Sequence, residues 1–274
     1  MKLKDKVALI TGGGQGLGKA IAEAMAKEGA ATVICDLNPT TLATASKEIE
    51  ALGRPCLGVL CDVSSVDSVE KMFAEAVKRF GTVHILVNNA AMLASRPADT
   101  ERRNRLYAAK SAGVRNGSLG ITTSHTDDDW LRFWGVNVHG VFYCTRAALR
   151  LMEPLHYGKI INIASVAGLG TESAFTPPYS ATKAAVISMT KTIAYDVAGA
   201  NIFVNCIACG GVMTPPFRKY LAEATEQEKT NLLSMIPLGR LGEPEEYAAL
   251  AVHLASDENY CVGQTISPNG GLLI

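Results

Sequence analysis

The sequence predicts an α/β fold, in which a single domain is built on a doubly wound parallel sheet of about seven strands. Short, continuously apolar runs alternate along the chain with longer stretches of helical periodicity. Strands buried on both faces are continuously apolar, and strand–helix alternation places helices on both faces of a parallel sheet. The length of 274 residues suits one large domain, and no repeat or low-complexity linker divides it.

The individual elements follow from these runs. Seven apolar runs are predicted as strands: 7–10, 32–35, 57–61, 84–87, 159–163, 202–207 and 264–266. Helix-like stretches lie between them, for example 18–28 and 65–80. The segment from about 95 to 129 breaks the alternation, because it is polar and lacks clear periodicity. A connection of that length is uncommon in a compact domain, so we treat it as an insertion with a short helix near 100–109.

The composition narrows the class of protein. The 26 Lys and Arg residues balance 26 Asp and Glu residues, and 48% of the chain is hydrophobic. This excludes disorder and argues against a nucleic-acid-binding protein with a globally basic surface. The charged start is not followed by an apolar run of signal-peptide length, and no run reaches membrane-spanning length. We therefore expect a cytoplasmic protein without a nucleic-acid or membrane partner.

The seven cysteines are scattered and odd in number, which favours a reducing compartment over a disulfide framework. Cys206 and Cys209 have the Cys-x-x-Cys spacing. A zinc ribbon needs a second pair, and a thioredoxin-like motif should open a helix. This pair instead ends an apolar run, so we predict two small buried side chains and no metal site.

A glycine-rich segment connects the first predicted strand to a helix, with the sequence Thr11-Gly12-Gly13-Gly14-Gln15-Gly16-Leu17-Gly18. Glycines there permit a tight turn and close approach to a pyrophosphate, which the helix N-terminus stabilises. Asp36 ends the second predicted strand, where a carboxylate can accept hydrogen bonds from the ribose hydroxyls and repel a 2′-phosphate. Neither Gln15 nor Leu37 supplies a cation for that phosphate. The pattern predicts a Rossmann-type site that prefers NAD to NADP, although Asp36 alone is also compatible with a turn residue.

Tyr179 and Lys183 are four residues apart and share a face if their segment is helical. A free tyrosine, with a pKa of about 10, is a poor base, and a nearby cation lowers that pKa. Such a pair can take a proton from an alcohol, or give one to a carbonyl, as hydride moves to or from a nicotinamide. Taken alone, the spacing is also typical of a solvated helix face.

Several motifs occur together in order: residues 11–18, Asn88-Asn89-Ala90, Asn137, Ser165, and Tyr179 with Lys183. In this combination the chain resembles the short-chain dehydrogenase/reductase family, in its single-domain branch. Asp62-Val63 and the segments 237–246 and 263–271 add to the resemblance, which covers the whole chain except the insertion. It implies the strand order 3-2-1-4-5-6-7 and a homo-oligomer, either a dimer or the tetramer usual in the family.

The resemblance also implies catalytic roles. Tyr179 would be the general acid/base, and Lys183 would lower its pKa and hold the nicotinamide ribose. Ser165 would hydrogen-bond the reacting oxygen of the substrate. Asn137 would position a water that links Lys183 to solvent. Outside the family context, Ser165 is compatible with a strand-end turn and Asn137 with an ordinary polar position on a helix.

The cofactor contacts implied by the resemblance are spread over five loops. They comprise Gly12, Gln15, Gly16, Leu17 and Gly18 at the pyrophosphate, Asp36 and Leu37 at the adenosine ribose, Asp62 and Val63 at the adenine, Asn89 and Ala90 at the ribose region, and Val212 and Thr214 at the nicotinamide carboxamide, beside Tyr179 and Lys183. Thr214 is also compatible with a helix cap.

Two variable regions bear on the substrate. From Ser95 to Asn116 the insertion carries six basic residues against two acidic ones, namely Arg96, Arg102, Arg103, Arg105, Lys110 and Arg115 against Asp99 and Glu101. We expect it to form part of the pocket wall or a subunit contact, with arginines that meet a carboxylate or CoA phosphates; the alternative is a solvated decoration.

A lid over about 212–236 is rich in apolar side chains, which suggests a hydrophobic or cyclic substrate, unless these helices pack on their own core.

The predicted function is NAD-dependent interconversion of a secondary alcohol and a ketone. Two alternatives stay open. The first is a 3-oxoacyl-thioester reductase of the same family, although those enzymes usually use NADP, which Asp36 disfavours. The second is a non-catalytic nucleotide-binding regulatory protein, which would have no need for a phenol beside an ammonium. The substrate is a small molecule whose identity the sequence leaves open.

Overall fold

The computed structural model describes residues 1–113, 117–171 and 173–274. The described residues form one parallel seven-stranded sheet in the order β3-β2-β1-β4-β5-β6-β7. The strands are β1 Val7–Thr11, β2 Ala31–Asp36, β3 Cys56–Leu60, β4 Ile85–Asn88, β5 Gly158–Ser165, β6 Ile202–Cys209 and β7 Thr265–Ile266. The predicted fold class and strand order are confirmed.

Ten α-helices connect the strands in the part of the chain that the structure describes. They are α1 Gly16–Lys27, α2 Pro39–Glu50, α3 Val66–Phe80, α4 Pro97–Ala112, α5 Asp127–Trp134, α6 Val141–Met152, α7 Pro177–Val197, α8 Pro215–Glu223, α9 Glu226–Leu233 and α10 Pro244–Ala255. A π-helical turn, Gly135–Gly140, joins α5 to α6. Among the described helices, none is both long and apolar enough to cross a membrane.

The core lies on both faces of the sheet, as a doubly wound fold requires. On one face, Ile10 belongs to a cluster that includes Met25 of α1 and Leu254 of α10. On the other face, Leu9 packs in a cluster with Met72 of α3 and with residues of α6 and α7. Strand β1 pairs with β2 on one side and β4 on the other, so the chain reverses its winding there. Ligands of such folds bind at the carboxyl ends of the strands beside this switch point.

The insertion is more ordered than its polarity suggested. Its helix α4, Pro97–Ala112, is longer than the predicted 100–109. Carboxylates bind several of its arginines: Arg102 Nη2 lies 2.8 Å from Asp99 Oδ1, and Arg96 Nη1 lies 3.1 Å from Asp129 Oδ1. Arg105 Nη2 is 2.8 Å from Glu101 Oε1. These three arginines thus have carboxylate partners within the chain, and a contact between arginines of the insertion and a ligand stays a prediction. Arg115 lies outside the described residues.

The prediction that Cys206 and Cys209 are two small buried side chains is confirmed. All seven cysteines, each within the described residues, are free thiols, and Cys206 and Cys209 are buried in β6. Burial raises the pKa of Cys206 to about 11 and that of Cys209 to about 12. Both side chains are therefore protonated, small core residues at neutral pH.

Candidate active site

The glycine-rich turn begins where β1 ends at Thr11. Gly12 and Gly16 have φ angles of +64° and +56°, which favour glycine. A Cβ on Gly18 would overlap the Gly12 carbonyl oxygen, so the first turn of α1 packs directly on the loop. The free N–H groups at the start of α1 therefore lie at the carboxyl end of β1, where an anionic group is stabilised.

Asp36 is fixed beside this turn by two backbone groups. The Gly14 N–H donates to Oδ2 at 3.1 Å, and the Asn38 N–H donates to Oδ1 at 3.2 Å. The next side chain, Leu37, is 66% exposed. The carboxylate is thus held at the end of β2 with an apolar neighbour, as the sequence predicted.

The residues that follow β3 and β4 lie at the same carboxyl edge of the sheet as the glycine-rich turn and Asp36. The Asn89 side chain donates to the Thr11 carbonyl at 2.9 Å and the Gly12 carbonyl at 3.1 Å, which locks the glycine-rich turn against β4. After β3, the Asp62 carboxylate accepts the Ser64 N–H at 2.9 Å. Val63 lies against the π-helical turn, where a Cβ on Gly140 would come within 2.8 Å of Val63 Cγ2.

Thr11 has a role that the sequence analysis missed. Its hydroxyl oxygen accepts the N–H groups of Asn89 and Ala90, both at 3.0 Å. The sequence feature that indicates such a role is a polar residue placed between an apolar strand and the first glycine of the turn. Thr11 therefore sets the distance between the glycine-rich turn and the Asn89-Ala90 loop.

The segment after β6 lies above the glycine-rich turn. The Thr214 methyl carbon would be 3.5 Å from a Cβ placed on Gly16. The Thr214 N–H donates to the Val212 carbonyl at 2.8 Å, and Val212 bridges to Gly242. Among the described residues the Thr214 side chain accepts no N–H of α8, so its hydroxyl is not used as a helix cap. The structure therefore brings the predicted Val212 and Thr214 to the same cleft as the glycines.

Ser165, Tyr179 and Lys183 meet at the carboxyl end of β5. Ser165 is the last residue of that strand, and the other two lie in the first two turns of α7. The Tyr179 ring packs edge-on against Phe133 of α5, with 6.2 Å between ring centroids. Lys183 is buried, and its Nζ lies 5.7 Å from the centroid of the Tyr179 ring. A phenol, a hydroxyl and an ammonium group are thus grouped beside the nucleotide-type cleft.

Asn137 lies in the π-helical turn between α5 and α6. Its Oδ1 accepts the Met92 N–H at 2.7 Å, and its Nδ2 donates to the Thr182 hydroxyl at 3.1 Å. The Thr182 hydroxyl in turn donates to the Tyr179 carbonyl at 2.8 Å. Asn137 therefore connects the end of β4 to α7, through a threonine that the sequence analysis did not single out. Single π-helical turns are frequent at functional sites.

Burial dominates the electrostatics of the pair on α7. It raises the pKa of Tyr179 to about 12, against an opposing hydrogen bond with Ser165. It lowers the pKa of Lys183 to about 8. The expected lowering of the Tyr179 pKa by Lys183 is therefore not seen. The reason is geometric as well, because Lys183 Nζ donates to the Ile163 carbonyl at 2.8 Å.

The comparison with known families decides the identity. A family model described as short chain dehydrogenase matches residues 6–225. This chain belongs to the short-chain dehydrogenase/reductase family. The 3-oxoacyl-[acyl-carrier-protein] reductase FabG of Thermotoga maritima is 36% identical over 275 residues, which cover 100% of both chains. The (2S)-[(R)-hydroxy(phenyl)methyl]succinyl-CoA dehydrogenase subunit BbsD of Thauera aromatica is 35% identical over 272 residues, or 99% of this chain and 98% of BbsD.

Solved structures agree with this assignment. A short-chain type dehydrogenase/reductase from Mycobacterium marinum superposes with a TM-score of 0.81 at 30% identity, over 99% of this chain and 96% of the other. Levodione reductase superposes with a TM-score of 0.84 at 27% identity, over 98% of both chains. The protein is therefore an oxidoreductase of the short-chain dehydrogenase/reductase family, which uses a nicotinamide cofactor.

The site of this short-chain dehydrogenase fits such a cofactor. The glycine-rich turn provides a cradle with positive φ at Gly12 and Gly16, next to the Thr214 side chain. The carboxylate of Asp36 lies on the β2 side of the turn, and the buried Lys183 ammonium lies on the other side, beside β5. A dinucleotide requires these groups in this order: a carboxylate at the adenosine ribose, the turn at the pyrophosphate and a cation at the nicotinamide ribose.

Proposed function

We propose that this short-chain dehydrogenase interconverts a secondary alcohol and a ketone with NAD, using Tyr179 as the general acid/base. The observation that carries the proposal is the grouping of Tyr179, Ser165 and Lys183 at the end of β5. Only β4 separates that strand from β1 and its glycine-rich turn. Bound NAD supplies the hydride acceptor in oxidation, and NADH the donor in reduction.

The protein's own groups handle the proton. In oxidation, the Tyr179 oxygen takes the proton of the substrate hydroxyl, and in reduction it returns one to the carbonyl oxygen. Ser165 donates a hydrogen bond to the same oxygen and stabilises the charge that develops there. Lys183 binds the nicotinamide ribose through its ammonium group, which lies 5.7 Å from the centroid of the Tyr179 ring. Asn137, through its contact with Thr182, holds the end of a proton path from Lys183 to solvent.

We expect ketone reduction to depend on pH through Lys183 and not through Tyr179. The pKa of Tyr179, raised to about 12, keeps the phenol protonated, whereas the lowered pKa of Lys183 removes its charge above about pH 8. The expected kcat/KM is constant from about pH 6 to 7.5 and falls above pH 8 by up to about tenfold per unit. The Lys183→Arg variant should reduce the ketone more slowly, but its guanidinium is charged at every pH in this range, so its kcat/KM should show no such fall. A fall that persists in Lys183→Arg refutes the assignment.

The preference for NAD rests on Asp36. Its carboxylate is oriented by the Gly14 and Asn38 N–H groups, and Leu37 offers no charge to a 2′-phosphate. We expect Asp36→Asn with Leu37→Arg to lower the NAD-to-NADP ratio of kcat/KM by about 100-fold, about tenfold from each charge change. Asparagine keeps an acceptor for Gly14, so the turn is retained. Leu37→Arg alone isolates the second contribution, and an unchanged ratio in the double variant would refute the role of Asp36.

A 3-oxoacyl thioester is the second candidate substrate. The names of the two relatives above specify a 3-oxoacyl thioester and a hydroxyacyl-CoA. Reduction of a 3-oxo group to a 3-hydroxy group is itself a ketone-to-secondary-alcohol reaction, so the same four side chains serve both candidates. The two differ only in what surrounds the reacting carbon.

An initial-rate assay of nicotinamide absorbance tests the proposal. The panel contains secondary alcohols, cyclic alcohols, hydroxysteroids and 3-hydroxyacyl thioesters, each with NAD and with NADP. We expect turnover of at least one class with NAD. Absence of turnover, together with nucleotide binding measured by calorimetry, would support the non-catalytic regulatory alternative instead.

A further inference from the structure

One arginine of the insertion differs from its neighbours in what surrounds it. In α4, Arg102 and Arg105 are each within 2.8 Å of a carboxylate oxygen. Among the described residues, no carboxylate lies within 4.0 Å of the Arg103 guanidinium. Its recorded hydrogen bond is a long one, from Nη2 to the Thr100 hydroxyl at 3.4 Å. A guanidinium has five N–H donors, so the described residues use only a small part of the hydrogen-bonding capacity of Arg103.

Arg103 instead lies among aromatic rings from three different elements. Its Cζ is 5.3 Å from the centroid of the Tyr220 ring in α8 and 5.9 Å from that of Phe175. Tyr107, one turn further along α4, lies near both the Arg103 charge and Tyr220, and its pKa is raised, chiefly by burial. Aromatic faces attract the cation without neutralising it. A positive charge therefore persists in a half-buried, apolar setting, where it attracts anions more strongly than in water.

These rings belong to the parts of the chain that border the reaction centre. Phe175 lies between Ser165 and Tyr179 in the sequence, four residues before the phenol. Tyr220 lies in α8, which starts directly after Thr214 above the glycine-rich turn. The side chains of α8 and α9 are all at least partly exposed, which is typical of a cover and not of a separate core. Arg103 thus stands where the insertion, the Ser165–Tyr179 loop and the cover meet.

The rest of the insertion is built to hold this position. The Asp129 carboxylate of α5 forms ion pairs with Arg96, Arg102 and Arg132, with N–O distances of 3.7 Å or less. These ion pairs fix α4 to α5, the helix that carries Phe133, the neighbour of Tyr179. A residue on such a rigidly attached helix is positioned precisely, as a substrate-binding group requires.

We propose that Arg103 binds an anionic group of the substrate, a carboxylate or a phosphate, at the mouth of the active site. The inference rests on the proposed function, because it assigns a substrate class to that same site. The planar guanidinium matches both anions through paired N–H···O bonds. The aromatic rings form a low-polarity frame that excludes water from this contact and accommodates the apolar part of the substrate next to the anion.

Two substrate pairs test the proposal and separate the two anion sources. Acetoacetyl-CoA and S-acetoacetyl-N-acetylcysteamine share the acyl group and the thioester, but the second lacks the CoA phosphates together with the pantoate and adenosine parts that carry them. 5-Oxohexanoate and its methyl ester differ only in the carboxylate. We expect wild-type protein with NADH to prefer the anionic member of at least one pair by about tenfold in kcat/KM. Arg103→Gln should remove that preference by raising KM for the anionic member alone, while kcat changes little.

Two further variants control for structure. Arg105→Gln removes the same charge from the same helix, at a side chain whose contacts are Glu101 and the Leu119 carbonyl, and should leave the preference intact. Arg103→Lys keeps a charge but not the paired geometry, and should retain part of the preference. If Arg103 only stabilises the contact between α4 and α8, Arg103→Gln lowers kcat/KM equally for both substrates of each pair, and the proposal is overturned. It is also overturned if wild-type protein reduces ketones without preference for either anion.

A binding measurement separates failure of this inference from failure of the proposed function. If no ketone is reduced at all, the proposed function fails, and calorimetric titration of the NAD-loaded protein with CoA and with glutarate reads the anion site directly. Binding that Arg103→Gln weakens about tenfold supports the site. Binding that Arg103→Gln leaves unchanged, or no binding to wild-type protein, contradicts it.

Discussion

Replacement of Tyr179 by phenylalanine is expected to lower kcat/KM for alcohol oxidation by about 10³-fold, within the range attributed to general acid–base catalysis. The variant lacks the oxygen that accepts the substrate proton. It keeps the ring that packs edge-on against Phe133 at 6.2 Å, so the fold and the cofactor cleft are retained. Initial rates with NAD, measured beside NAD affinity by calorimetry, separate a lost proton acceptor from lost binding.

A second tyrosine on the same helix provides the matched control. Tyr195 lies near the end of α7 and is 91% exposed. Tyr195→Phe removes the same hydroxyl from the same element, and its activity should equal that of the wild type. If Tyr179→Phe kept more than about a tenth of the wild-type kcat/KM, the phenol would not be the main acid/base.

Replacement of Lys183 by methionine is expected to lower kcat/KM by about 100-fold without loss of stability. The ammonium holds the nicotinamide ribose and thereby orients the reacting ring, so its removal affects both KM and kcat. Burial lowers the pKa of Lys183 to about 8, below its ordinary 10.5. Folding therefore disfavours the charged form at neutral pH, and an apolar side chain of similar length relieves that cost.

The combination of lost activity with retained stability is the diagnostic result. Thermal unfolding of Lys183→Met should occur at or above the wild-type Tm. Lys191→Met, at an exposed lysine two turns along α7, should change neither activity nor Tm. A large fall in Tm for Lys183→Met would mean that the ammonium serves the fold through its bond to the Ile163 carbonyl, and that its catalytic role is overstated.

The five inner strands, β2, β1, β4, β5 and β6, were predictable because nearly all of their residues are buried, whereas the edge strands β3 and β7 are partly exposed. Residues 32–35 were predicted and β2 is Ala31–Asp36, and residues 202–207 were predicted and β6 is Ile202–Cys209. The strand ends then fixed where Asp36 and Ser165 would lie, since parallel strands share one carboxyl edge. The π-helical turn around Asn137 was not predictable, because residues in α-helical and π-helical turns follow the same amphipathic pattern over so short a span.

The insertion shows why a count of charged residues over one stretch of sequence does not predict which charges remain unpaired in the fold. The excess of positive charge lies between Ser95 and Asn116, but the Asp129 carboxylate at the start of the next helix pairs with Arg96 and also lies 3.7 Å from Arg102. Only the folded chain brings these side chains together. The same holds for Lys183, since its spacing from Tyr179 predicted a shared helix face but not the bond of its Nζ to the Ile163 carbonyl.

The most direct test of the central claim follows the hydride itself. Wild-type protein is incubated with NADH deuterated at the transferable position and with a panel of ketones that includes cyclic ketones, oxosteroids and 3-oxoacyl thioesters. Mass spectrometry of the products then locates the label. The proposed function predicts a secondary alcohol with one deuterium on the carbinol carbon, formed by wild-type protein and not by Tyr179→Phe. Products without deuterium would contradict it. So would the absence of any labelled alcohol across the panel, both with deuterated NADH and, in a parallel series, with NADPH deuterated at the same position.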